Sequence, residues 1–118
     1  MASLNMNGPY ALSSNEIDRQ VTKTSPGNYG LGYTKDDGTF VVNYVGRSDR
    51  DVNGRLHDWV GTKYKKFKYS YTDSAKAAFE KECHNYHDFG GSKELDNEAH
   101  PDRPKGTDWK CPVCTIFD

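Results

Sequence analysis

The sequence predicts an α+β fold: a three-stranded antiparallel sheet flanked by helices, with a polar C-terminal tail. Three observations carry that expectation. Asp37-Gly38 lies between two runs rich in Tyr, Val and Gly, and Asp-Gly between extended segments is the strongest short-range signal for a hairpin. A later run alternates Phe67, Tyr69 and Tyr71 with Lys66 and Lys68, the two-residue period of a strand. Two further stretches, opened by Ser48 and by Thr72-Asp73-Ser74, place apolar residues at helical spacing.

Residues 1–26 carry little apolar periodicity and form an N-terminal extension, in which Ser13 and Ser14 ahead of Glu16 and Ile17 suit a short helix. Residues 27–97 form the domain proper and 98–118 a tail packed on it. If Asp37 and Gly38 are the two turn residues, Phe40 faces Lys35, Val42 faces Tyr33, Tyr44 faces Leu31 and Gly46 faces Tyr29. Alternation along the strands then puts Tyr29, Leu31 and Tyr33 on one face with Phe40, Val42 and Tyr44. Tyr29 and Tyr44 become diagonal neighbours, about 7 Å apart between backbone positions. Gly30, Gly32 and Gly46 remove side chains where another group can approach closely.

Ser48 and Asp51 resemble a capping pair, after which Val52, Leu56 and Trp59 predict a helix over 49–60 that carries Arg55. Gly54 costs that helix about 1 kcal/mol against alanine. A strand through Phe67 and Tyr69 follows. The helix formers from Ala75 to Tyr86 predict a second helix, with Phe79, Cys83 and Tyr86 as its buried stripe. From Gly90 to Asp108 the chain is polar, with glycines and prolines, and needs tethering to be ordered.

A chain of 118 residues with a net charge of −1 is one domain and not a general polyanion binder. The basic run Lys63 to Lys68 is first a strand with a soluble face, and second a surface for phosphates. With neither a long apolar run nor a charged-then-apolar leader, the sequence predicts a cytoplasmic protein with no membrane span. Three cysteines suit a reducing compartment and metal binding better than a disulfide framework.

Cys111 and Cys114 are spaced as in a zinc knuckle, which needs two more ligands. Cys83 and His87 lie four apart on one face of the second helix and complete a Cys₃His set, with His100 the alternative to His87. Four protein ligands make such a zinc structural, because catalytic zinc keeps a position open for water. The predicted tail is then stapled to the helix by zinc, the rival expectation being an ordinary buried Cys83 with Cys111 and Cys114 as a redox or unpaired dithiol.

The ordered set Gly27-Asn28-Tyr29, Tyr44-Val45-Gly46, Arg55 and Glu80 resembles the GIY-YIG nuclease family over residues 27–97. Two differences stand out: Asn28 replaces the usual apolar middle residue of the first motif, and the interval from Gly46 to Arg55 is one residue longer than usual. The resemblance implies endonucleolytic cleavage of phosphodiester bonds in DNA or RNA. Glu80 would hold magnesium or manganese, with Glu82, about 200° around the helix, as the competing carboxylate. Tyr29 would orient or deprotonate the attacking water, Tyr44 would hydrogen-bond within the site, and Arg55 would clamp the phosphate through its planar fork. Asn97 matches a late asparagine of the family, and His57 is an extra proton carrier. The alternative expectation is a catalytically inactive, zinc-containing module of the same fold that binds nucleic acid or a protein partner.

Overall fold

The computed structural model describes residues 4–118. In chain order it contains β1 (Asn7–Ala11), α1 (Ser14–Gln20), β2 (Gly27–Thr34), β3 (Phe40–Ser48), α2 (Val52–His57), β4 (Lys66–Tyr71) and α3 (Ala75–Asp88), then a short 3₁₀ turn over Gly91–Lys93. Among the described residues the sheet has four strands rather than the expected three, in the order β1-β4-β2-β3, and every neighbouring pair is antiparallel. The added strand is β1. Its Gly8-Pro9 pair obscures the strand pattern, and proline is tolerated there because β1 is an edge strand whose register shifts between Asn7 and Tyr10.

The helices cover both faces. On one, Ile17 and Val21 from the α1 segment and Val52 and Leu56 of α2 pack on Tyr29, Leu31, Phe67 and Tyr69. On the other, α3 lies over β3 and β2, with Tyr86 beside Leu4, Val45 and Leu95, and Phe79 and Cys83 beside Cys111. Ile17, Leu31, Leu56, Phe67 and Phe79 are fully buried, each worth roughly 1.5–3 kcal/mol relative to exposure. The helix caps follow the sequence. Ser13 Oγ accepts from Glu16 N at 3.3 Å, and Ser74 Oγ accepts from Ala77 N at 3.1 Å.

The first predicted helix is shorter than expected. Ser48 Oγ accepts from Asp51 N at 2.9 Å, so the serine closes a turn ahead of α2. Trp59 and Val60 follow the helix in a turn stitched by Trp59 N to Leu56 O and Val60 N to His57 O.

The hairpin turn holds three residues, not two. Lys35 N donates to Thr39 O and Gly38 N donates to Lys35 O, both at 2.9 Å, while Gly38 takes a left-handed φ of 89°, the geometry of a turn closed by glycine. Strand pairing near the turn is therefore offset by one residue, so Tyr33 faces Val41 and Gly32 faces Val42. An irregularity between Leu31 and Gly32 absorbs the offset, and Tyr44 faces Leu31 and Gly46 faces Tyr29 as expected. Phe40 and Val42 consequently pack on the α3 side with Leu4, Val45, Tyr86 and Leu95, not beside Tyr44. Gly32 is required at this irregularity, since a Cβ there would overlap the Val41 carbonyl.

Candidate functional site

A pocket of about 330 Å³ opens where β2, β3, α2 and α3 meet. Tyr29 comes from the central strand, Tyr44, Gly46 and Arg47 from the edge strand, Arg55 from α2 and Glu82 from α3. Asp49 follows β3, and Pro101 and Asp102 of the tail complete the wall. Three of the expected site residues, Tyr29, Tyr44 and Arg55, thus share one pocket.

Glu80 does not share it. It lines a separate surface pocket with Leu4, Lys81 and His84, and the carboxylate beside the tyrosines is that of Glu82. The two residues are about 200° apart around the helix, so only one can face the sheet. Glu82 sits within the buried stripe of Ala78, Phe79, Cys83, Asn85 and Tyr86; the sequence offered it only as the competing carboxylate, and its place inside that stripe is the signal that would have found it.

Asn97 also lies outside the pocket. It is buried, its Oδ1 accepts from Val45 N at 3.0 Å, and its Nδ2 donates to Val45 O at 2.8 Å. The side chain thereby supplies the hydrogen bonds that a further strand would give to β3, and it holds the strand between Tyr44 and Gly46. His57 bonds Asp18 at 2.8 Å and is not among the pocket residues. Asn28 is fully buried and its Nδ2 donates to the Ala78 carbonyl at 2.9 Å, so the polar residue in the first motif ties the central strand to α3.

Trp59 positions both tyrosines. Its Nε1 donates to Tyr29 Oη at 3.0 Å, and its ring lies 4.7 Å from that of Tyr44. Tyr29 is buried, and burial pushes its phenol well above the ordinary tyrosine range despite the Trp59 hydrogen bond. Burial, and then the nearby Glu82 charge, also push Tyr44 up. Near neutral pH both phenols therefore keep their protons, and Tyr29 Oη accepts the bond from Trp59.

The sequence did not mark Arg47, Asp49 or Asp102 as residues of this site, and Arg47 is the one that links its charges. Its Nη1 lies 2.6 Å from Glu82 Oε1, its Nε lies 2.9 Å from Asp49 Oδ1, and its guanidinium stacks 5.2 Å from the Phe79 ring centre. Burial disfavours the Arg47 cation, but the two carboxylates outweigh that and hold it charged. Burial also pushes the Glu82 carboxyl up, against the pull of Arg47.

A second cluster joins α3 to the tail. Donor atoms of His87, His100, Cys111 and Cys114 all lie within 4.8 Å of one another, and the group could hold a metal ion. His87 Nε2 is 3.2 Å from His100 Nε2, Cys111 Sγ is 3.5 Å from His87 Nε2, and Cys114 Sγ is 3.4 Å from His100 Nε2. A tetrahedral zinc ion, with bonds of about 2.0–2.1 Å to nitrogen and about 2.3 Å to sulfur, gives edges of about 3.3 Å (N to N) and about 3.6 Å (N to S). The spacing therefore fits such an ion.

The surroundings fit too. His100 Nδ1 lies 2.7 Å from the Pro101 carbonyl, the outer hydrogen bond that orients a ligating histidine so that its Nε2 faces the metal position. Burial pushes the Cys111 thiol up, but N–H groups of Val113 and Cys114 and the His100 ring outweigh it and bring it down to about 6. Both histidines thus belong to the group, where the sequence offered His100 only as a substitute for His87. Cys83 lies outside the four-donor set: it is fully buried against Phe79 and Cys111, and burial pushes its thiol far up.

Compared with family models, with curated proteins and with solved structures, the chain has no significant match in any of the three. Among the described residues, no helix is long and apolar enough to cross a membrane.

Proposed function

We propose that this protein is a metal-dependent phosphodiester hydrolase of the GIY-YIG kind, acting on DNA or RNA, with Glu82 rather than Glu80 as its metal-holding carboxylate. The observation that carries this reading is the convergence of Tyr29, Tyr44, Arg55 and Glu82 on one pocket from four different elements. The strand and helix order from β2 to α3 is the one that the family resemblance implies.

The pocket offers the hard oxygen donors of Glu82, with Asp49 and Asp102 nearby, which is the chemistry that magnesium and manganese take. Such an ion, held by Glu82, supplies charge stabilisation on the phosphate and on the departing oxygen. Arg55 binds the phosphate through its planar donor fork. Tyr44, half-buried at the pocket wall, orients the attacking water or a phosphate oxygen. Tyr29 donates its proton into the site while Trp59 holds its oxygen, so it orients and does not act as a base. In the second site, zinc bound by His87, His100, Cys111 and Cys114 plays a structural role, since all four positions are filled by protein.

One observation favours a second reading, a binding module without turnover. Glu82 is already paired with Arg47 at 2.6 Å, with both side chains nearly buried, and a neutralised carboxylate attracts a cation less. The readings separate in a cleavage assay on single-stranded, duplex and branched DNA and RNA with magnesium or manganese. The hydrolase reading expects cutting by the native chain that Glu82→Ala abolishes. Binding without cutting, at an affinity unchanged by Glu82→Ala, supports the module.

A further inference from the structure

The two sites share a short stretch of chain. His100 belongs to the four-donor group, and the next two residues, Pro101 and Asp102, line the tyrosine pocket. His87 stands on α3, five positions after Glu82. A metal in the group therefore bridges the helix that carries the pocket carboxylate to the segment that walls the pocket. We propose that metal occupancy of the His87/His100/Cys111/Cys114 group and phosphodiester binding in the tyrosine pocket are positively coupled, with Pro101 and Asp102 as the positioning residues that transmit the coupling.

At this point the segment is held by the four-donor group, by the His100 ring against Tyr86 and by the buried Pro101. Upstream it is held by Asp96 N to Asn43 O and by Asn97 to Val45, but residues 98–118 contain no helix or strand. A polar stretch of that length orders only where it is tethered. Further along, the tail packs Trp109 and Phe117 on Phe79, stacks Phe117 against Arg103 and His100, and bonds Arg103 Nη1 to Trp109 O at 3.0 Å. Phe79 is also the ring on which Arg47 stacks, so loosening the tail reaches the pocket from below as well as from its wall. Linkage requires reciprocity: a ligand in the pocket tightens the metal by the same factor as the metal tightens the ligand.

The proposal deepens the hydrolase reading, and its test separates the two. Zinc affinity is measured by competition with a chromophoric chelator, with and without a short phosphorothioate DNA oligomer and calcium. Amide resonances are compared between zinc-loaded and zinc-stripped protein. Coupling predicts zinc affinity raised about tenfold by the oligomer, within the usual 5–150-fold range. It also predicts that stripping shifts the amides of Gly46, Arg47 and Glu82 while those of Leu31 and Phe67 hold. Asp102→Ala, which leaves the Pro101 carbonyl on His100 Nδ1, is expected to keep zinc affinity in the absence of oligomer and to lose the tenfold gain at an oligomer concentration that still saturates its pocket. If the oligomer does not bind the native chain, the hydrolase reading and the coupling both fail. If it binds, then an unchanged zinc affinity, unmoved pocket amides on stripping, or a gain that survives Asp102→Ala overturns the coupling alone. If stripping unfolds the whole chain, the Asp102→Ala comparison decides.

Discussion

The ring of Tyr29 occupies the space that a side chain at Gly46 would need. A Cβ at Gly46 would overlap Cζ and Oη of that tyrosine, although the two residues face each other across the β2–β3 ladder. Gly46 is thus explained by Tyr29, and the Tyr29 hydroxyl reaches both Trp59 and the pocket because Gly46 leaves it room.

Gly46→Ala therefore forces the phenol out of place. Overpacking of a closed site costs about 1–3 kcal/mol, and the Trp59 to Tyr29 bond is lost with it. Urea denaturation is expected to show a lower midpoint, and tryptophan emission is expected to change in the folded state.

Asn97→Ala removes the clamp on the outer edge of β3 and leaves the Val45 N–H and C=O without partners. Each buried group left unpaired costs about 1–3 kcal/mol, so for the two groups a loss on the order of 2–6 kcal/mol is expected. Denaturant midpoints measure it. Asn97→Asp, which keeps the acceptor and loses the donor, is not expected to restore the native value.

The four-donor group predicts an order among metal-site variants. Cys83→Ser retains one equivalent of zinc, because Cys83 is not among the donors, whereas His100→Ala and Cys114→Ala lose it. Zinc content after gel filtration in the presence of a weak chelator distinguishes these outcomes. Retention by His100→Ala with loss by Cys83→Ser would restore the Cys₃His set.

Tyr29 makes alkaline stability a readout of the pocket. Its folded-state pKa is raised by burial, so its contribution is complete below the unfolded value of about 10 and is lost as pH rises from there through the folded value. Over that window one tyrosine supplies a slope of up to about 1.4 kcal/mol per pH unit. Tyr29→Phe is expected to be less sensitive to pH above about 10 in urea unfolding, with no change in pH dependence near neutrality.

Much of the core was legible because local chemistry and burial agree there. Ser74 caps α3, and Phe67 and Tyr69 alternate with lysines along β4. The pairing of Tyr29 with Gly46 was also legible, although two unforeseen features cancel to produce it: the third turn residue and the irregularity opposite Gly32. Neither leaves a separate mark in hydrophobic pattern, so Phe40 and Val42 were assigned to the wrong face. The choice between Glu80 and Glu82 depended on the rotation of α3 over the sheet, which the Ala78–Phe79–Cys83–Tyr86 stripe encodes and a family-like Phe-Glu pair masks. His100 lies in an aperiodic segment, where spacing carries no geometry. Its place beside His87 comes from how the tail folds back.

The most direct measurement is magnesium-dependent cleavage of the mixed nucleic-acid panel by the native chain, Glu82→Ala and Glu80→Ala side by side, with folding verified by circular dichroism. The account predicts cutting by the native chain and by Glu80→Ala, and none by Glu82→Ala. Cutting that survives in Glu82→Ala and disappears in Glu80→Ala, or no cutting by any of the three, would contradict it.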